Sequence, residues 1–195
     1  MPRKPQRNTR GKIVSAAWKL FYEQGYEHTT VEDILALSGT SKGTFYHYFE
    51  GKDALLGSLA MIFDEKYDEL KGTMPPDMDA VEKLIHMNRE LFTLIDNSVS
   101  VELLARLLST QLTTKGEKHL LDRSRSYFKV VQQTVREGQE RGALRADLSA
   151  GEITNAYAMF ERAMMYDWCL RGGEYSLTRQ AAQMLPMFLE SFRNK

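Results

Sequence analysis

Between Thr29 and Asp53 the chain reads TTVEDILALSGTSKGTFYHYFEGKD, and here residue types and spacing are suited to chemistry. Behind Ser41 come a cation, a bare backbone position and a hydroxyl (Lys42, Gly43, Thr44), followed by Tyr46 and His47. On a short helix, Lys42, Thr44, Tyr46 and His47 project away from a core that takes Phe45 and Phe49. Small or polar groups at the start of such a helix allow close approach to base edges, and hydroxyls and cations further along suit phosphate oxygens. Each of these residues also has a plainer reading. Tyr46 and Tyr48 could both be core, Ser41 could be a helix cap alone, and His47 could be an ordinary surface residue.

Two very short helices must position this face. The first runs from about Val31 to Leu37, with Thr30 as N-cap and Asp33 in the capping-box position. Gly39 can end it in a left-handed conformation without a side-chain clash. Ser41 then caps a helix from Lys42 to about Tyr48. Two such helices joined by a three- or four-residue glycine turn are what helix-turn-helix geometry requires. Neither can stand alone, because nucleation costs more than so few hydrogen bonds return. They must pack through Val31, Ile34, Leu35, Phe45 and Phe49 on a preceding helix. That helix is marked by Ile13, Val14, Ala17, Leu20 and Phe21, capped near Asn8 or Thr9 and ended by Gly25.

The spacing predicts a fourth, long helix from Lys52 to about Lys71, with Leu55, Leu56, Leu59, Ile62, Phe63 and Leu70 inward. Gly72 to Asp77, with Pro75 and Pro76, forms a linker. Five more helices follow, the fourth of them opened by a capping box at Ser149 and Glu152 and closed by Gly172 and Gly173. Pro186 should kink or split the last. No convincing period-2 stretch appears. The expected fold is all-α, with about nine helices: a helix-turn-helix domain over residues 1–51 and a larger helical domain over 52–195.

The 195 residues are 43% apolar and 27% charged, enough for a real core and a well-solvated surface. The formal net charge is zero, but residues 1–52 hold eight basic against five acidic side chains, a local charge of +3. A basic N-terminal quarter on a neutral protein suggests a local polyanion contact, and a solvated basic tail would explain Arg3 to Arg7 equally well. The single Cys169 excludes an internal disulfide and a cysteine-rich metal site. No secretion signal is visible and no segment has the length of uncharged apolar residues that a membrane span needs, so a cytoplasmic protein with no membrane partner is expected. His28, His86 and His119 belong to no recognisable nucleophile or metal motif; an enzyme is not expected, nor a metal or cofactor.

The Thr29–Asp53 segment resembles the DNA-binding signature of the TetR family of transcriptional regulators. The resemblance is carried by Thr30, Asp33, Ile34, Gly39, Ser41, Gly43, Thr44, Phe45, Tyr46, Tyr48, Phe49, Lys52, Asp53, Leu55 and Leu56. Thr40, Leu35, Ser38 and Gly51 depart mildly from the family pattern, away from the presumed contact face. The resemblance implies that Lys42, Gly43 and Thr44 lie in the major groove, and that Thr30, Ser41, Tyr46, His47 and Lys52 hold phosphates of double-stranded operator DNA. It further implies a homodimer and a C-terminal ligand domain that releases the DNA when an unknown, largely apolar small molecule binds; repressor is what most of the family is, and the residues leave activator open. Lining candidates for that ligand are Phe63, Tyr67, His86, Phe92, Tyr127 and Phe128, any of which could equally be core. The last two helices would pair across the two-fold axis, through Ile153, Tyr157, Phe160, Met164, Met184 and Phe188. The alternative is a helical small-molecule sensor or protein adaptor without DNA binding.

Overall fold

A computed structural model of the chain describes residues 7–113, 115 and 118–194. Arg3 and Lys4, the basic arm expected from sequence, lie outside the described residues. The chain divides into two compact units, Met1–Leu59 and Ala60–Lys195. Among the described residues there is no β-strand; one isolated bridge joins Leu144 to Arg193. No helix among the described residues is long and apolar enough to cross a membrane.

The first unit contains α1 (Arg7–Gln24), α2 (Val31–Ser38) and α3 (Lys42–Tyr48), followed by a 3-10 segment, Lys52–Ser58. Because α1 already begins at Arg7, Asn8 and Thr9 lie inside it rather than capping it. Its Ile13, Ala17 and Phe21 are buried with Ile34 of α2 and Phe45 and Phe49 around α3, while Val31 and Leu35 are only half-buried. The expected capping box at Thr30 forms on both sides: the Asp33 amide donates to the Thr30 hydroxyl (3.1 Å) and the Thr30 amide to the Asp33 carboxylate (2.9 Å). Gly39 takes φ 64° and stops α2. The turn into α3 is closed by Ser41, whose hydroxyl accepts from the Thr44 amide at 3.2 Å.

The predicted helix starting at Lys52 is instead a 3-10 segment, and the α-helical part starts only at Leu59. Hydrogen bonds of three side chains tie that segment to α1 and the loop after it. Trp18 Nε1 donates to Ser58 Oγ at 2.7 Å, the Tyr26 hydroxyl donates to Asp53, and Lys52 reaches back to the α1–α2 loop. These ties give the unit its limit at Leu59, beyond residue 51.

The second unit is built from α4 (Leu59–Thr73), α5 (Ala80–Ser98), α6 (Val101–Thr113), α7 (Ser126–Glu140), α8 (Ala150–Leu170) and α9 (Leu177–Glu190). Carboxylates placed at helix starts tie these helices together, since the first turn leaves amides without partners. Asp64 of α4 accepts from the Tyr127 amide of α7 (3.0 Å) and pairs with Arg125 (2.9 Å). Asp96 of α5 accepts from the Leu177 and Thr178 amides of α9, both at 3.0 Å. Pro186 neither splits nor ends α9, which runs on to Glu190. Gly138 of α7 lies against α5: a Cβ there would fall 2.6 Å from Ala80 Cβ and 2.8 Å from Leu144 Cδ1. Alanine gains about 1 kcal/mol of helix propensity over glycine, but overpacking costs about 1–3 kcal/mol. Gly138→Ala is therefore expected to lower stability by about 1 kcal/mol or more, seen as a reduced urea midpoint.

Candidate nucleic-acid interface and ligand cavity

The α2–turn–α3 unit has one buried and one open side. Phe45 is fully enclosed, with the Phe49 ring 5.7 Å away, centroid to centroid. On the open side Lys42, Gly43 and His47 are exposed, Tyr46 is 48% exposed and Thr44 is half-buried. Tyr46 is therefore not core, and neither Lys42 nor His47 is committed to the interior. Lys42 lies 3.5 Å from Glu32, an exposed pair of the kind worth little in water and given up without much cost for a phosphate or a base. Ser41 and Thr44 share a hydrogen bond at 2.8 Å beside that lysine, so both hydroxyls keep spare capacity for an incoming acceptor or donor. Thr30 is exposed at the start of α2, with its hydroxyl donating to Asp33 at 2.7 Å. That bond and the Thr30 amide hold the Asp33 carboxyl below its ordinary value.

Lys52 differs from the rest of the predicted set. Its ammonium donates to the carbonyls of Tyr26 (2.7 Å) and Thr29 (2.9 Å) and lies 4.2 Å from the Tyr26 ring centre. Two of its three protons are thus used to fasten the α1–α2 loop, and no α-helix starts at Lys52 to lend it a dipole.

In the second unit the predicted ligand residues do not all come together. Phe63 and Tyr127 line a small cavity of about 30 Å³ with Leu91, Met165, Glu161, Arg125 and Arg162 among the other walls. Tyr67 lies fully buried behind it, its ring 4.8 Å from that of Tyr127. Phe92 and Phe128 are buried without lining this cavity, and His86 is half-buried on α5, bonded to Arg89 at 2.8 Å. A wider groove of about 630 Å³, walled mainly by Leu108, Leu112, Leu121 and Tyr166 with Lys118 at its side, shares Leu120 and Arg162 with the cavity.

Sequence reasoning gave Glu161 no role. It is 1% exposed, and its carboxylate accepts from Tyr127 Oη (2.7 Å), Asn88 Nδ2 (2.9 Å) and Tyr67 Oη (3.3 Å). Tyr157 nearby donates instead to the Leu84 carbonyl at 2.9 Å. The signal was available: Glu161 follows Ile153 and Tyr157 at successive four-residue steps, which places it on their inward face.

The predicted pairing surface needs correction. Ile153 and Tyr157 are fully buried and Met164 is 7% exposed, all within the chain's own core, so they have no surface to offer a partner. Phe160 and Phe188 stack on each other at 4.7 Å and stay half-exposed, and Met184 is 38% exposed. The outward stripe of α8 is Ala156, Met159, Ala163, Tyr166 and Leu170, which alternate in steps of three and four; Met159 (63%) and Leu170 (68%) are the most open. On α9, Met184 is joined by Met187 at 71% exposed.

The family model for bacterial regulatory proteins of the tetR family matches residues 13–59. The HTH-type transcriptional repressor DhaR of Mycobacterium sp. (strain GP1) is 27% identical over 145 residues, covering 72% of each chain. The HTH-type transcriptional regulator HbdR of Aromatoleum sp. (strain CIB) is 28% identical over 188 residues, 94% of this chain and 80% of that one. Among solved structures, Thermus thermophilus FadR, a TetR-family repressor in complex with lauroyl-CoA, superposes with a TM-score of 0.76 over 93% of each chain at 22% identity, a likeness of fold.

Proposed function

We infer that the chain is a transcriptional repressor of the TetR family of bacterial regulatory proteins, whose family model matches residues 13–59. As a homodimer it holds double-stranded operator DNA and lets go when a small molecule fills the cavity in the second unit. The observation that carries this reading is the open polar side of α3, where Lys42, Gly43, Tyr46 and His47 are exposed and Thr44 is half-buried above a core sealed by Phe45. A surface of that composition at the start of a helix suits base edges, with phosphates taken by the hydroxyls of Thr30, Ser41 and Tyr46 and by His47. Lys52 keeps one proton for a phosphate beside the two it gives to carbonyls.

Two reading helices related by a two-fold axis must lie about 34–36 Å apart to enter successive major grooves. The stripe of Met159, Tyr166 and Leu170 on α8, with Met184 and Met187 on α9, supplies an apolar surface for that pairing. Release is a shift of population: the ligand favours a state of the dimer whose reading helices are wrongly spaced. Emptying a nearly full operator needs about 5.5 kcal/mol of differential affinity. We place the protein in the cytoplasm, where its DNA partner is.

A gel shift with the chain's own upstream DNA tests the reading; a chain that ignores that DNA at low salt is a sensor or adaptor and not a repressor. Lys42→Ala should cost about 1–3 kcal/mol against the operator and markedly less against scrambled duplex, by fluorescence anisotropy. Equal losses on both duplexes would move Lys42 from base reading to phosphate holding.

A further inference from the structure

Glu161 is a buried negative charge to which four helices contribute. Tyr67 comes from α4, Asn88 from α5 and Tyr127 from α7, and all three donate to the carboxylate on α8. The other buried charges of this unit are matched: Lys83 lies 3.3 Å from Glu137, and Arg125 lies 2.9 Å from Asp64. Among the described residues no basic side chain pairs with Glu161. Neutral donors soften the cost of a buried anion without cancelling it. Burial pushes the Glu161 carboxyl up from its ordinary value, the direction expected of an anion short of a counter-ion. The phenols of Tyr67 and Tyr127 are held far above theirs, by burial first and by the charge of Glu161 second, so both remain protonated donors.

One acceptor position of the Glu161 carboxylate is open to a cation. An ionised carboxylate offers about four acceptor positions, and three are filled, which leaves one. The cavity it borders is otherwise walled mainly by Phe63, Leu91, Tyr127 and Met165, apolar or aromatic groups whose rings attract positive charge. Two arginines share that wall: Arg125 is paired with Asp64, and Arg162 makes no ion pair with Glu161. Beyond Leu120 the wider apolar groove gives room for the body of an amphiphile.

We propose that the small molecule that acts on this protein is an organic cation, a protonated amine on an apolar or aromatic body, whose ammonium pairs with Glu161. The proposal rests on the reading of the chain as a ligand-released regulator and names the chemistry of its ligand. An ammonium in the cavity takes the free acceptor position of Glu161 and draws the carboxylate from its three neutral donors. The hydrogen bonds that link α8 to α4, α5 and α7 then rearrange, which gives the ligand a differential contact with two states of the unit. Arg162 borders both cavities and, among the described residues, makes no hydrogen bond or ion pair, so an anionic ligand would seek Arg162 instead.

The test titrates the full chain at neutral pH with three probes of one shape, naphthylmethylamine, naphthylmethanol and naphthoate, by isothermal calorimetry. The amine should bind about tenfold or more tighter than the alcohol, and naphthoate should bind weakest. Glu161→Gln should erase the margin of the amine while leaving the alcohol unchanged. A margin that survives Glu161→Gln, or an alcohol or naphthoate that binds as well as the amine, overturns the proposal. If Glu161→Gln does not fold, the wild-type ranking decides alone by the same criterion. A gel shift on the same sample separates the two readings. DNA binding without an amine preference overturns the cation site and leaves the repressor; an amine preference without DNA binding does the reverse.

Discussion

Replacing Met159 and Met187 together with glutamate is expected to split the proposed dimer and reduce operator affinity by about 10²- to 10⁴-fold, the advantage that two linked reading helices hold over one. Both side chains are largely open in the single chain, at 63% and 71% exposed, so neither contributes much to the core of its own subunit. The double variant should therefore keep its helical content as a monomer while sedimenting at half the mass, and melt lower than the dimer because the partner no longer stabilises the folded chain. Tyr157→Phe gives the contrast. Tyr157 is fully buried and its hydroxyl donates to the Leu84 carbonyl at 2.9 Å, so removing that hydroxyl should cost stability, by about 1–3 kcal/mol, and leave pairing intact. A double variant that still sediments as a dimer would place the two-fold contact elsewhere than on the outward stripes of α8 and α9.

Phe45→Ala is expected to abolish DNA binding without removing a single atom from the open side of α3. Phe45 is fully buried, and truncating such a ring costs about 3–5 kcal/mol, a large share of what a small helical unit has. α2 and α3 have eight and seven residues, too few to persist once that packing is lost. The neighbouring Tyr46→Ala should do the opposite. Tyr46 is 48% exposed, so its truncation should stay within about 0.5 kcal/mol of wild-type stability and still weaken operator binding. Thermal melts by circular dichroism, read beside gel shifts, separate the two: Phe45→Ala loses both, Tyr46→Ala only one. Should Tyr46→Ala bind operator as well as the wild type, the phosphate role of that hydroxyl falls.

The two adjacent aromatics also show how much was legible without coordinates. The order Thr30, Asp33, Gly39, Ser41 specifies a cap, a stop and a second cap by local hydrogen bonding and backbone freedom, and the structure forms all three. Those interactions act within four residues of chain, so sequence is enough to read them. Position 46 was open to two readings because one helical turn admits an aromatic on either side, and packing against α1 settled which ring is enclosed.

Lys52, α8 and Glu161 were decided only in three dimensions. Lys52 meets carbonyls from Tyr26 and Thr29, far back in the chain, and no local pattern announces such a contact. α8 carries apolar residues on two sides, Ile153, Tyr157 and Trp168 on one and Met159, Tyr166 and Leu170 on the other. Periodicity identifies the helix but cannot say which stripe the chain keeps for itself, so the choice made from sequence fell on the inner one. Glu161 gains its character from three donors on three other helices, a meeting that exists only once α4, α5, α7 and α8 have packed. Composition and short-range spacing thus determined the helices, their ends and the reading motif, because the forces involved span a turn or two. Which face is core, which charge is buried and which side chain is free to touch a partner depended on long-range packing, which one strand of sequence does not contain.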